Sequence, residues 1–428
     1  MTFCRHNVGR SHGFTFVHCI ATFGIAALVA LGISLPGIAY GKPKQEKAKQ
    51  QASALPLTQQ IEGEERLLQI YNLMARGQSR DALRQATQLT NDLPHFQLAQ
   101  LVYGDLLAAR TRPVKAIGDV PDNIAQQATA PLKDLREESQ RRIKALKERP
   151  TAGSIPSQFL ALSTKSRHAI AVDASRSRLY LLENTPAGLT LVDDYYISVG
   201  KAGTAKLTEG DQRTPLGVYY ITSRLDPASL KDFYGSGALP INYPNILDAK
   251  LGKTGSGIWL HGTPPNQYVR APQASDGCVV LANPDLERIA RTIEPRTTPV
   301  VIANQLQWVK PAELRNQSKA FENALFAWRN AKTSGNLPQI LSFYTTDFSN
   351  NGKNLNQWTP TLKAELEKLQ GRTVQLKDIS YLYWNDSNSE TMVVTFGEVA
   401  EGIRAGWTKR QYWIKQGAQW KIFYEGVL

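Results

Sequence analysis

The 428-residue chain reads as a multidomain protein with a helical N-terminal region, a mainly-β middle domain and an α+β C-terminal domain. Three observations predict that order. Between Gln60 and Lys147 the apolar residues recur at helical spacing. Beyond Gly153 the pattern changes to short β-type runs punctuated by turn residues. From residue 316 onward, helical segments come first and longer β runs follow. The length accommodates about three domains of ~100–200 residues each.

Residues 1–41 carry Arg5 and Arg10, no acidic residue, and an apolar run from Phe14 to Leu35 that ends near Ala39-Tyr40-Gly41. This pattern predicts a signal peptide and an exported protein of the periplasm or cell envelope. If uncleaved, the same run would serve as a membrane anchor. Residues 42–59 are polar and predict a linker. Within residues 60–150, Leu67, Leu68, Tyr71 and Met74 mark one amphipathic helix and Ala82 to Leu89 a second. The pair is similar to one tetratricopeptide-type unit, and reads as a helical cap on the next domain. Glu137–Glu148 is dense in charge and predicts a solvated spacer helix.

The middle domain spans residues 165–305. His168–Asp173, Arg178–Leu182, Leu189–Val192, Tyr195–Val199, Val218–Thr222, Ile258–Leu260 and Val300–Ile302 read as strands. His168 is expected on an edge strand. One helix, Pro284–Ile293, is predicted with Asn283 as its cap. In residues 316–428, helices are expected around Phe321–Trp328, Leu337–Tyr344 and Leu362–Leu369. Strands are expected at Val374–Leu382, Thr391–Glu398, Thr408–Lys415 and Trp420–Tyr424. Trp384, Trp407, Trp413 and Trp420 are assigned to its core.

The formal charge of +13 favours polyanionic surroundings, an anionic cell wall included. No basic–aromatic or zinc-finger pattern is present, so no nucleic-acid partner is expected. Loss of the leader would remove Cys4 and Cys19 and leave Cys278 as the sole thiol, with His95, His168 and His261. A lone thiol in an exported chain is either inert or reactive. A nucleophilic cysteine needs a base, because a free thiol with pKa ~8.5 is mostly protonated at neutral pH. His261, in Trp259-Leu260-His261-Gly262, lies at a predicted strand end seventeen residues before Cys278. A ring nitrogen within about 3–4.5 Å of the sulfur would fit general-base action. Amides near Gly277 and Cys278 are candidates to hold an oxyanion. One cysteine and three scattered histidines suit no zinc site, and no phosphate-binding loop occurs. Neither metal nor cofactor is expected.

His261-Gly262-Thr263, Ser275-Asp276-Gly277-Cys278-Val279 and the upstream Thr214-Pro215-Leu216-Gly217 together resemble the L,D-transpeptidase (YkuD-type) catalytic domain. The resemblance implies a mainly-β YkuD-type fold in which Cys278 attacks an L,D bond of a peptidoglycan stem peptide. It implies His261 as base and acid, Gly277 and Cys278 amides at the oxyanion, and Ser275 as support for the loop. D-Alanine would leave, and an amine on another stem, or on a wall-attached protein, would resolve the thioester. Two alternatives stay open: an L,D-carboxypeptidase or endopeptidase using water, and a non-catalytic wall-binding scaffold. Asp276 stands where the family most often has histidine, and Val280 where asparagine or arginine is common. A carboxylate aimed at the thiol would suppress the thiolate, so Asp276 is expected to face away. The C-terminal region resembles SnoaL-like, cystatin-type cone domains, which implies an accessory binding role.

Overall fold

A computed structural model describes residues 63–428 except Gln370, Ser387 and Asn388. The expected signal peptide and linker lie outside the described residues. Among the described residues, no helix is long and apolar enough to cross a membrane.

The helical region opens with α1 (Gly63–Ala75), α2 (Ser79–Asp92) and α3 (Gln97–Ala108), followed by α4 (Asp122–Gln127) and α5 (Thr129–Lys147). Leu67, Ile70, Ala82, Ala86, Leu89, Leu98 and Val102 close a small core with Phe96. The last helix corrects the reading of a solvated spacer. Glu138 and Arg142 on α5 are 2% and 1% exposed. Arg142 pairs with Glu138 at 2.8 Å and with Glu64 of α1 at 2.7 Å. Glu64 also holds Arg178 of the next domain at 2.8 Å. The charges are inside because each is paired, which composition cannot reveal.

Short strands β1 (Ile155–Pro156) and β2 (Phe159–Ala161) lead into β3 (His168–Asp173), β4 (Arg178–Thr185), β5 (Gly188–Tyr196), β6 (Val199–Gly200) and β7 (Gly217–Tyr220). Then come β8 (Ala238–Pro240), a short α6 (Ile246–Lys250), β9 (Trp259–His261), β10 (Gln273–Ser275), β11 (Val279–Val280), α7 (Asn283–Thr292), β12 (Pro299–Ala303) and β13 (Trp308–Val309). A five-stranded sheet has the order β5-β4-β3-β12-β7, and a three-stranded one the order β11-β9-β8. His168 therefore sits on a central strand, not an edge. It is buried and its Nδ1 meets Glu294 at 3.2 Å. Every residue of β3 is buried because both faces of this sheet are covered. On one face Ile170, Val172, Leu179, Val300 and Ile302 pack with Leu260, Val279, Leu286 and Ile289.

The C-terminal domain consists of α8 (Pro311–Thr333), α9 (Leu337–Leu341), β14 (Tyr344–Asn350), β15 (Lys353–Asn354), α10 (Leu355–Leu369), β16 (Val374–Asn385), β17 (Glu390–Ala400), β18 (Trp407–Gln416) and β19 (Gln419–Val427). The second helix stops at Leu341, and Tyr344 begins a strand instead. The sheet order is β15-β14-β19-β18-β17-β16-β2. Its last member is thus borrowed from the approach to the middle domain. One sheet face cradles Phe321, Leu325 and Trp328 of α8 with Trp413, Trp420 and Ile422. Trp407, in contrast, is exposed at the first residue of β18.

Candidate active site

The parallel pairing of β9 and β11 sets the geometry. Leu260 lies opposite Val279 and His261 opposite Val280. Side chains alternate across a strand, so Leu260 and Val279 enter the core. Trp259, His261 and Val280 project from the other face. The candidate base thus ends β9, and the candidate nucleophile immediately precedes β11, the strand paired with it.

His261 is 1% exposed and packed by the rings of Tyr234, with centroids at 5.1 Å, and Phe233, at 5.8 Å. Its Nδ1 lies 2.7 Å from the Gly262 carbonyl. A carbonyl only accepts, so Nδ1 carries the proton and Nε2 keeps a lone pair. Burial lowers the imidazole pKa to about 4; the Gly262 bond opposes this and the Arg270 charge adds to it. For Cys278, burial pushes the thiol up, while the Trp259 amide and the Arg270 guanidinium draw it back. The sulfur accepts from Trp259 N–H at 3.4 Å and donates to the Gly257 carbonyl at 3.5 Å. Among the described residues no hydrogen bond joins the thiol to the imidazole. Each is instead occupied by backbone of the strand and turn that present it.

The turn before the thiol is tied inward. Ser275 Oγ donates to the Cys278 carbonyl at 2.6 Å and accepts from Gly277 N–H at 3.1 Å. The Gly277 amide is thereby committed to the loop rather than turned to an oxyanion. The Cys278 amide makes no hydrogen bond among the described residues. Gly277 has φ +125°, and a Cβ there would crowd the Arg213 carbonyl. Thr214 Oγ1 donates to the Gly277 carbonyl at 2.9 Å, which brings the Thr-Pro-Leu-Gly segment under the turn. Asp276 points outward: its side chain is 65% exposed, with Oδ1 on Lys201 Nζ at 2.9 Å and Gln212 Nε2 at 3.2 Å.

Two residues near the pair carry no signal for nucleophilic chemistry in the sequence. Asn283 was expected to cap α7, but no cap bond forms at that helix start. Its Oδ1 accepts from Ser236 N–H at 2.9 Å and Thr263 N–H at 3.0 Å, and its Nδ2 donates to the Thr263 carbonyl at 2.9 Å. It therefore clamps the turn after His261. A Cβ on Gly262 would occupy the place of that amide. Arg270 sits in the segment joining β9 to β10, which docks on the helical region. Tyr268 N–H donates to the His95 carbonyl at 3.2 Å and its ring meets Phe96 at 4.6 Å. Tyr196 OH holds the Arg270 carbonyl at 3.0 Å.

The model of the L,D-transpeptidase catalytic domain (YkuD) matches residues 167–302, and that of the Cds6 C-terminal NTF2-like domain matches residues 320–426. The structure of Bdellovibrio bacteriovorus Bd1075 is similar at 26% identity and TM-score 0.55, over 64% of this chain and 98% of that one. The helical cell shape determining protein Pgp2 from Campylobacter jejuni shares the fold at 21% identity and TM-score 0.50, over 67% and 99% of the two chains. No curated protein matches the chain. The chain carries an L,D-transpeptidase catalytic domain of the YkuD type, followed by a C-terminal NTF2-like domain.

Proposed function

We propose that the protein is an exported cysteine-dependent L,D-transpeptidase acting on peptidoglycan stem peptides. The observation that supports this best is the His261 tautomer. Nδ1–H is spent on Gly262, which leaves Nε2 as a base at the end of the strand paired with the one that Cys278 precedes. For this transfer the S–H must leave the Gly257 carbonyl and reach that nitrogen. The sulfur then bonds to the carbonyl carbon of the L,D peptide bond as the proton passes to Nε2. Collapse of the tetrahedral intermediate breaks the C–N bond, and the imidazolium returns the proton to the departing D-residue amine. An incoming amine, from a second stem or a wall-attached protein, gives its proton to Nε2, forms the new amide and releases the thiol. The Cys278 amide, which has no partner among the described residues, is the donor we assign to the oxyanion, with Trp259 N–H available once it leaves the sulfur. The Gly277 amide, in contrast, is held by Ser275.

Water as acceptor would make the same site an L,D-carboxypeptidase. A wall-binding scaffold would leave Cys278 without work. Incubation of the wild type and Cys278→Ala with tetrapeptide muropeptides, followed by mass analysis, separates the three. Cross-linked dimers lost in the variant support transfer, and shortened monomers lost in the variant support hydrolysis. Unchanged muropeptides with both proteins would overturn the enzymatic reading. The cell-shape role in the name of Pgp2 supplies the cellular counterpart, in which the Cys278→Ala strain would show altered shape.

A further inference from the structure

Arg270 is only 8% exposed, yet among the described residues its guanidinium makes no hydrogen bond and no ion pair. Arg410, exposed to the same 8%, at least donates to the Thr395 hydroxyl, and two still more deeply buried arginines are ion-paired. Arg142 holds Glu64 and Glu138, and Arg178 holds Glu64 and Asp194. A buried cation without a counter-charge is costly unless something else supplies one. Asp276, the acid on the neighbouring turn, is engaged outward by Lys201 and Gln212. The guanidinium lies over the Phe233 ring at 4.4 Å, and Phe233 in turn packs on His261. Its charge acts on both the Cys278 thiol and the His261 imidazole. The Tyr196–Arg270 bond fixes the backbone, and Arg142 sits 3.8 Å above the Tyr196 ring. The guanidinium thus lies over an aromatic ring that itself packs on the candidate base, with its five N–H groups unspent. An unspent guanidinium matches a planar anion with two oxygens.

We propose that Arg270 binds a carboxylate of the donor stem next to the scissile bond, and so selects donors that carry that free acid. This rests on the acyl-transfer reading of the Cys278 site. Two substrate groups have the right chemistry. One is the free carboxylate of the departing C-terminal D-residue, and the other is a carboxylate on the side chain of the diamino acid before it. The first would confine the enzyme to removing terminal residues. The second would make it a reader of stem composition.

The test uses the full-length protein and three tetrapeptide donors: the free acid, its C-terminal amide, and the amide of the diamino acid side chain. The wild type is expected to lose about tenfold in kcat/KM, mainly through KM, on the amide that removes the bound carboxylate, the scale of one charge-assisted pair. Arg270→Met keeps the apolar stem over Phe233 and should treat that amide and the free acid alike, while Arg270→Lys should regain part of the difference. Equal turnover of all three donors by the wild type would overturn the inference without touching the acyl-transfer reading. A second measurement needs no stem peptide. Alkylation located at Cys278 by mass should favour iodoacetate over iodoacetamide in the wild type, relative to Arg270→Met, by about fivefold or more. If stem peptides are not turned over yet this preference persists, the anion receptor stands and the proposed reaction falls. An unchanged ratio in the variant would overturn the receptor itself.

Discussion

Cys278 and His261 are both biased toward their neutral forms by the same cause, burial against aromatic and backbone neighbours. The imidazole, lowered to about 4, sheds its proton well below neutrality. The thiol, pushed up, keeps its proton past the ordinary range. A resting thiolate–imidazolium pair would require the opposite shifts. The rate of Cys278 alkylation by iodoacetamide should therefore climb with pH to beyond about 8.5, with no shoulder between about pH 5 and 7. A plateau across that acid range would reveal the ion pair and refute the neutral resting state. The Asn283 clamp makes a second claim at this scale. Asn283→Ala removes three hydrogen bonds, two to Thr263 in the turn after His261 and one to Ser236, and should cost about 2–3 kcal/mol in urea unfolding. Turnover should fall with it, because Gly262, whose carbonyl orients the imidazole, is part of that turn. Wild-type stability in the variant would show that the clamp is dispensable. What the sequence disclosed here was nucleophile and base chemistry, because few residue types can perform it. Arg270 and Asn283 stayed hidden, since an arginine in a loop and an asparagine before a helix have commoner uses.

Strand positions in the middle domain were legible from their runs of apolar residues, as with His168–Asp173. Their order in the sheet was not, because β3 and β12 pair in parallel across more than a hundred intervening residues. The same blindness to long-range partners explains the misreading of α5. Its charges look solvated along the chain, but Glu64 and Arg178 arrive from other elements to pair with Arg142. Burial alone would raise the Glu64 pKa; Arg178 and Arg142 outweigh it and hold the carboxylate at about 2. Stability from this group is present above its unfolded value of about 4.5 and is lost as pH falls through about 2. Arg142→Met should destabilise the helical region by about 3–5 kcal/mol, since it strands Glu138 without a partner. Glu138→Leu combined with Arg142→Met should recover part of that loss in denaturant melts. Additive effects in the double variant would mean that the two side chains are not coupled.

Across the whole molecule, the catalytic and NTF2-like domains share a core. The outer face of the five-stranded sheet offers Ala169, Ala171, Tyr180, Leu182, Val218, Tyr220 and Val301. The C-terminal sheet meets it with Leu382, Trp384, Val393, Tyr412 and Phe423. Phe159 and Ala161 of β2 continue that sheet beside Leu382 and Tyr381, so the chain is stitched across the boundary before the catalytic domain begins. Arg410 stacks on Tyr220 at 3.4 Å, and Lys250 pairs with Asp347. Sheet faces packed this way bury the apolar surface of both partners, so neither can lose the other without exposing a core. The NTF2-like domain is thereby a structural wall of the catalytic domain, whatever else it binds. The two should melt in one calorimetric transition. Tyr412→Ala, a large-to-small change at a residue 2% exposed, should lower that transition by about 3 kcal/mol and shorten the hydrogen-exchange protection of β3 and β12 together with that of β17 and β18. If β3 kept full protection while the C-terminal sheet opened, the domains would be independent folding units and the shared core would be a contact rather than a support.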